Sequence, residues 1–152
     1  MNPQMRRLRS YRALLRLARV RESLAAEELA KAAREEREKR EAHEQVQAQR
    51  AAVAEAGHSQ SANANALDLG RLQMLSMLDA ALYEREQLSG QQLAVAQTRR
   101  HACAQANAQA SRYRERVDER LVQASAAVRH EHAAKLGEES LALWIQARGE
   151  SA

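Results

Sequence analysis

The chain has 152 residues, of which 45% are hydrophobic, 29% are charged and only 3% are aromatic, and its formal net charge is +4. It contains no Phe, one Trp and three Tyr, so the large side chains that stabilise a compact core by burial are scarce. A single Cys, Cys103, excludes an internal disulfide framework and favours a reducing compartment.

The residue types favour long helices. Ala, Glu, Leu and Arg dominate the chain, as they do in coiled coils, and the only Pro is Pro3, so no proline interrupts a helix further on. Residues 34–41 read REEREKRE, and each pair four positions apart has opposite charges. Such pairs are neighbours on a helix surface. We therefore expect this run to form a helix that is surrounded by water.

One segment interrupts the helical pattern. Residues 56–70, AGHSQSANANALDLG, collect Gly, Ser and Asn. Gly57 suits the left-handed residue that ends a helix, and Asn63, Asn65 and Asp68 are candidate N-caps. The sequence predicts an all-α fold in one domain over 1–152: a long two-helix antiparallel coiled-coil hairpin with helix one at about 4–56, a turn at 57–67 and helix two at about 68–148.

Apolar residues at helical spacing predict the seam between the helices. On helix one they are Leu8, Tyr11, Leu15, Ala18, Leu29, Ala32, Val46 and Val53; on helix two they are Leu88, Val95, Ala102, Ala106, Ala110, Tyr113, Val117, Leu121, Ala124 and Val128. No strict heptad is evident. If the turn is centred near residue 62 and both helices rise equally, the numbers of two residues that face each other add to about 125. The C-terminal part of helix two, from about Val122 to Arg148, then overhangs, and we expect a rod that functions at its ends.

The first end is basic. Seven Arg and no acidic residue lie between Arg6 and Arg21, and Arg9, Arg12, Arg16 and Arg19 form a stripe at helical spacing. Arg6 joins these four as a candidate partner-binding residue. This stripe is either a solvated face beside the seam or a surface that docks onto an acidic partner. Nucleic acid and an anionic membrane are further possible partners.

The overhanging arm carries the only Trp. Leu141, Trp144 and Ile145 share one helix face, and Trp is a favoured interface anchor. We expect this face to be buried against a partner, with self-association as the alternative. Gly137 is the expected hinge of the arm.

The hairpin tip is rich in apolar residues. They are Val46, Val53, Met74, Leu75, Met77, Leu78 and Leu82. Methionine adapts to varied partners, so the cluster is either the interior of the hairpin or an exposed docking patch.

No catalytic, cofactor-binding or metal-binding motif is recognisable. There is no Gly-rich phosphate loop and no spaced Cys/His set, and His130 and His132 diverge on a helix. All carboxylates are expected to lie on solvated, charge-balanced helices and to keep ordinary pKa values. No segment approaches the roughly 20 apolar residues of a membrane span. We expect a protein that is not an enzyme and that has no stable membrane insertion.

A two-helix antiparallel hairpin rich in Ala, Arg, Glu and Gln, with an overhanging C-terminal arm, resembles the stalk proteins of type III secretion, the FliJ/YscO/HrpO group. The resemblance covers the whole chain and is architectural. It implies a cytoplasmic, virulence-related bacterial protein, peripheral to the inner-membrane secretion apparatus. Its partners would be the hexameric secretion ATPase at the basic end, and the export gate protein or secretion chaperones at the tip.

The alternative is a basic coiled-coil protein that binds nucleic acid or an anionic membrane surface. A basic-region zipper requires its Arg segment to run into a parallel heptad, whereas the loop at 57–70 returns the chain antiparallel. We therefore expect no sequence-specific nucleic-acid binding.

Overall fold

The computed structural model describes residues 2–63 and 68–150. These residues form two helices, α1 (Pro3–Ala62) and α2 (Leu69–Gly149). The helices pack against each other and no strand occurs in the described ranges, which confirms the all-α helical hairpin.

The turn begins later than the sequence predicted. Helix α1 continues through Gly57 to Ala62, and no glycine of the described residues has a positive φ. The hydroxyl of Ser61 donates to the Gly57 carbonyl at 2.9 Å, as in a continuing helix. Asp68 caps α2, since its carboxylate accepts a hydrogen bond from the Arg71 amide at 3.2 Å. The candidate cap Asn65 lies outside the described residues.

The chain divides into two compact units that differ in charge. One unit comprises Met1–Ala25 with Asn107–Ala152, and the other is Ala26–Ala106. The first has 14 basic and 8 acidic residues, a formal net charge of +6, and we call it the basic unit. The second has 10 basic and 12 acidic residues, a net charge of −2, and is the acidic unit.

A strict heptad governs burial on α1. One line of residues starts at Leu8 and recurs every seven positions up to Gly57, and every member of it is buried or half-buried. The same is true of a second line, which starts at Gln4 and recurs every seven positions up to Gln60. These two lines are the a and d positions of a coiled coil. The apolar seam residues predicted on α1 all lie on them. The heptad is not evident as an apolar pattern in the sequence, because four residues of the a line are polar: Glu22, Glu36, His43 and Arg50.

The seam of α2 corrects part of the prediction. Its d line runs in sevens from Leu75 to Glu131, and each member is buried or half-buried. The predicted Leu88, Val95, Ala102 and Ala106 are exposed instead. The true seam lies one residue after the first three of these, at Ser89, Ala96 and Cys103, where small or polar side chains allow close helix approach. The predicted Ala110, Tyr113, Val117, Leu121, Ala124 and Val128 are buried or half-buried.

Polar pairs cross the seam in both units. In the acidic unit Arg50 forms ion pairs with Asp79 at 3.1 Å and with Glu86 at 2.8 Å. In the same unit His43 Nδ1 lies 2.8 Å from Ser89 Oγ. In the basic unit Arg114 bonds Glu22 at 2.9 Å. Such pairs at core positions specify register at some expense of stability.

The pairs define a register different from the predicted one. The residue numbers of paired groups add to between 129 for Arg50 with Asp79 and 136 for Glu22 with Arg114, rather than to 125. In the basic unit Asn2 donates to Glu131 at 2.8 Å. Residues 132–150 are exposed, so the overhang begins after Glu131 rather than near Val122. The later turn accounts for this shift.

Candidate functional surfaces

The predicted arginine stripe is an exposed flank of the basic unit. Arg9 and Arg16 occupy b positions and Arg12 and Arg19 occupy e positions, beside the buried a and d lines. Within the described residues, none of the seven arginines from Arg6 to Arg21 forms an ion pair. Elsewhere in the same unit Arg114 is neutralised by Glu22. The stripe therefore presents uncompensated positive charge.

Exposed apolar side chains accompany the stripe. Leu17 is 60% exposed, Val20 56% and Leu24 57%. These three residues are not among the site residues predicted from the sequence, because without the heptad phase an apolar residue near a seam cannot be assigned to the seam or to the surface. Their c and f positions, visible once the heptad is known, identify them as surface residues.

Two grooves between α1 and α2 in the basic unit carry arginines on their walls. One, of about 580 Å³, is lined by Gln4, Arg6, Arg7, Ser10, Tyr11, Leu14, Arg120, Gln123, Ala124 and Ala127. The other, of about 260 Å³, includes Arg12 and Arg129. Among the residues that the structure describes, no acidic side chain lines either groove. An acidic chain would therefore meet favourable charge on both faces of this unit.

The arm beyond Glu131 exposes the predicted apolar face. Leu141 is 59% exposed, Trp144 55% and Ile145 57%. The Arg148 guanidinium stacks over the Trp144 ring at 4.6 Å from its centroid, a cation–π contact. The helix continues through the predicted hinge Gly137.

The arm and the arginine stripe are separate surfaces of the basic unit. Asn2, just before α1, is level with Glu131, to which it is hydrogen-bonded. Trp144 lies thirteen residues further along α2, roughly 20 Å by helical rise. A partner that binds both would have to be large.

The predicted tip residues divide into two groups. Val46 and Leu82 are buried in the seam of the acidic unit, with 9% and 5% exposed, and for these two residues the burial favours the first of the two interpretations, the interior of the hairpin. Val53 and Leu75 are half-buried and line a groove of about 580 Å³. Met74, Met77 and Leu78 are exposed, and they remain the candidate docking residues of the tip.

An ion cluster borders the tip groove. Arg50 lies between Asp79 and Glu86, with its guanidinium 4.8 Å from the centroid of the Tyr83 ring. The hydrogen bonds that Arg50 donates raise its pKa, and the bond to Glu86 has a larger effect than the bond to Asp79. The bond from Arg50 also lowers the pKa of Glu86. The cluster positions the two helices below the tip.

Several carboxylates depart from the ordinary pKa values that the sequence predicted. The hydrogen bond from Arg40 lowers the pKa of Glu36, and hydrogen bonds from Ser111 and Arg114 lower that of Glu22. Asn2 and Lys135 lower the pKa of Glu131 in the same way. The prediction failed because these glutamates occupy the seam. Their lowered pKa values reflect structural pairing.

Within the described ranges, no group of three or more His, Cys, Asp or Glu is arranged to hold a metal ion. Over the same residues, neither helix has a stretch that is long and apolar enough to cross a membrane.

Comparison with known proteins gives no relative. No family model and no curated protein matches the sequence, and no solved structure matches the fold.

Proposed function

We propose that this protein is a non-enzymatic central stalk of a type III secretion export ATPase. The basic unit docks onto the hexameric ATPase and promotes its activity, and the tip contacts the export gate or escort chaperones. The protein would then act in the cytoplasm, peripheral to the inner-membrane secretion apparatus. The proposal combines the architectural resemblance with two surfaces of the basic unit.

The uncompensated arginine stripe carries the proposal. Seven arginines without an ion pair among the described residues favour an acidic partner, and the adjacent Leu17, Val20 and Leu24 offer apolar area to bury against it. The arm adds Trp144, whose exposed ring is typical of an interface anchor.

A charge-reversal experiment tests the docking of the stripe. The test variant carries Glu in place of Arg9, Arg12, Arg16 and Arg19. The matched control carries Glu in place of four exposed arginines of the acidic unit: Arg34, Arg37, Arg71 and Arg85. We expect the test variant to lose binding to the purified ATPase and stimulation of ATP hydrolysis, and the control to retain both. Equal behaviour of the two variants would refute the proposal.

Trp144 reports independently on the arm. Since it is the only Trp and is largely exposed, its fluorescence should shift to the blue when the ATPase buries it. Trp144→Ala should weaken binding by about 2 kcal/mol, the scale of an interface anchor. The melting temperature of the free protein should change little.

Nucleic acid is the second candidate partner, favoured by the same unpaired arginines. Binding to duplex DNA would fall steeply with salt and would not depend on sequence. If the stripe variant loses DNA binding but keeps ATPase binding, the nucleic-acid function replaces the stalk function. An anionic membrane is tested in parallel with phosphatidylserine vesicles.

A further inference from the structure

A third apolar line runs along α2 in the acidic unit, outside the seam. Met74, Ala81, Leu88, Val95 and Ala102 are spaced by seven and all are exposed. Met74 is 72% exposed, Leu88 56% and Val95 70%. A heptad line of apolar residues is the pattern that packs against another helix. The predicted seam residues Leu88 and Val95 thus follow a helix-packing pattern on a face that α1 does not cover.

Two grooves flank this line where α1 and α2 meet. One has a volume of about 390 Å³ and is lined by Glu35, Lys39, Leu88, Gln91, Gln92, Val95, Ala96 and Arg99. The next has a volume of about 250 Å³ and is lined by Ala42, Gln45, Val46, Gln49, Arg85, Leu88, Ser89 and Gln92. They share Leu88 and Gln92, and together they form what we call the lateral groove. Its lining combines the apolar side chains of Val46, Leu88 and Val95 with those of four glutamines.

The charge on the groove walls is opposite in sign to that of the unit around it. Although the acidic unit has a net charge of −2, the described lining of the groove has three cations, Lys39, Arg85 and Arg99, and one acid, Glu35. Arg99 is paired with Glu35 at 2.8 Å. Lys39 and Arg85 form no ion pair within the described residues.

We infer that the lateral groove binds an amphipathic helix of a partner protein, with apolar residues facing Leu88 and Val95 and carboxylates facing Lys39 and Arg85. In the register of the acidic unit, Lys39 is level with a position about nine residues beyond Arg85, roughly 14 Å along the axis. The partner's carboxylates are therefore two to three helical turns apart. This surface is distinct from those that carry the proposed stalk function.

The same charges oppose a second copy of this chain as the occupant. Pairing two grooves would bring Lys39 and Arg85 of each copy into one interface, and like charges at an interface are costly. An acidic helix instead supplies the missing counter-charges.

Two synthetic helical peptides test this inference on the full-length protein. Both carry the same leucine heptads, and their flanking positions are all Glu in one and all Lys in the other. In a fluorescence anisotropy titration we expect the Glu peptide to bind at least about tenfold more tightly than the Lys peptide. Equal binding of the two, or binding of neither, overturns the inference.

Substitutions then locate the binding surface. Leu88→Glu with Val95→Glu should weaken Glu-peptide binding at least about tenfold. Val122→Glu, at a site 59% exposed in the basic unit, should leave it unchanged. Reversing the cations with Lys39→Glu and Arg85→Glu should make the Lys peptide the preferred ligand. Circular dichroism confirms that each variant is folded.

Two further outcomes would contradict the inference: the peptide binds the basic unit, or a second copy of the chain occupies the groove. If the variant that reverses the arginine stripe loses the Glu peptide, the peptide binds the basic unit and the inference is wrong. If the wild-type protein self-associates and Leu88→Glu abolishes this, a second copy fills the groove. The experiment uses no ATPase, so its result is independent of the stalk function.

Discussion

Glu36 Oε2 lies 3.3 Å from Arg100 Nη1 on the opposite helix, and only 6% of the Glu36 residue is exposed. Glu36 also accepts a hydrogen bond of 2.6 Å from Arg40, one turn along its own helix. The residue stands in the middle of the charged run at 34–41, which the sequence predicted to be solvated throughout. The run instead contributes a seam residue that two guanidinium groups neutralise.

Removing the charge of Glu36 should lower stability more than removing an exposed charge in the same run. Glu36→Gln removes the carboxylate that Arg40 and Arg100 both contact, and it replaces these charge-assisted contacts with a neutral amide at a buried seam position. Glu38→Gln is the control, because Glu38 is exposed. Thermal unfolding followed by circular dichroism should give a clearly lower melting temperature for Glu36→Gln only. Equal melting temperatures would mean that Glu36 is solvated.

The paired glutamates should make stability sensitive to acid. The pKa values of Glu36 and Glu86 are lowered in the folded protein from their ordinary value of 4.5. Their pairing therefore stabilises the fold fully above about pH 4.5, and this contribution is lost as the pH falls through the lowered values. The difference in melting temperature between wild type and Glu36→Gln/Glu86→Gln should shrink as the pH is lowered from 6 to 3. A difference that stays constant contradicts the assignment.

Two leucines six residues apart should differ sharply on truncation. Leu82 is 5% exposed in the seam and Leu88 is 56% exposed on the outer line. Leu82→Ala should cost about 2–5 kcal/mol in free energy of unfolding, as for buried leucine in general. Leu88→Ala should change it by less than about 0.5 kcal/mol. Urea unfolding measures both free energies. A larger loss for Leu88→Ala than for Leu82→Ala would mean that Leu88 lies in the seam, as the sequence predicted.

Gly57 offers a test of where α1 ends. A Cβ added there meets no atom of the described residues within 4 Å, and the backbone is helical. Gly57→Ala should therefore stabilise the protein by about 0.5–1 kcal/mol. The gain from Gly90→Ala should be smaller, since its new methyl group would lie 3.4 Å from His43 Cε1. Destabilisation by Gly57→Ala would indicate the left-handed helix end that the sequence suggested.

The sequence was sufficient for the helices and their antiparallel pairing, because composition, the lack of proline after Pro3 and the cluster of turn residues all depend on local propensity. It failed for the seam between residues 88 and 102. There the apolar Leu88 and Val95 outrank Ser89 and Ala96 in hydropathy, but the small residues permit close approach of the helices. Hydropathy alone could not detect this.

The candidate surfaces were predictable where exposure follows from charge, and not where it depends on register. Exposure of the arginine stripe follows from its composition. Assigning Val46 and Leu82 to the seam, and Leu17 to the surface, requires the heptad phase. The heptad phase could not be recognised from the sequence, because Glu36, His43 and Arg50 are polar residues at a positions.

The ion pairs across the seam also constrain how the length of this chain can change. Seven residues inserted into one helix would keep its a and d lines in phase with the other helix, because the repeat is unchanged. Every polar pair between the insertion and the chain ends would nevertheless be displaced by one heptad, so that Glu22 would no longer meet Arg114. Viable insertions or deletions should therefore come in matched sets of seven, one in each helix at the same level.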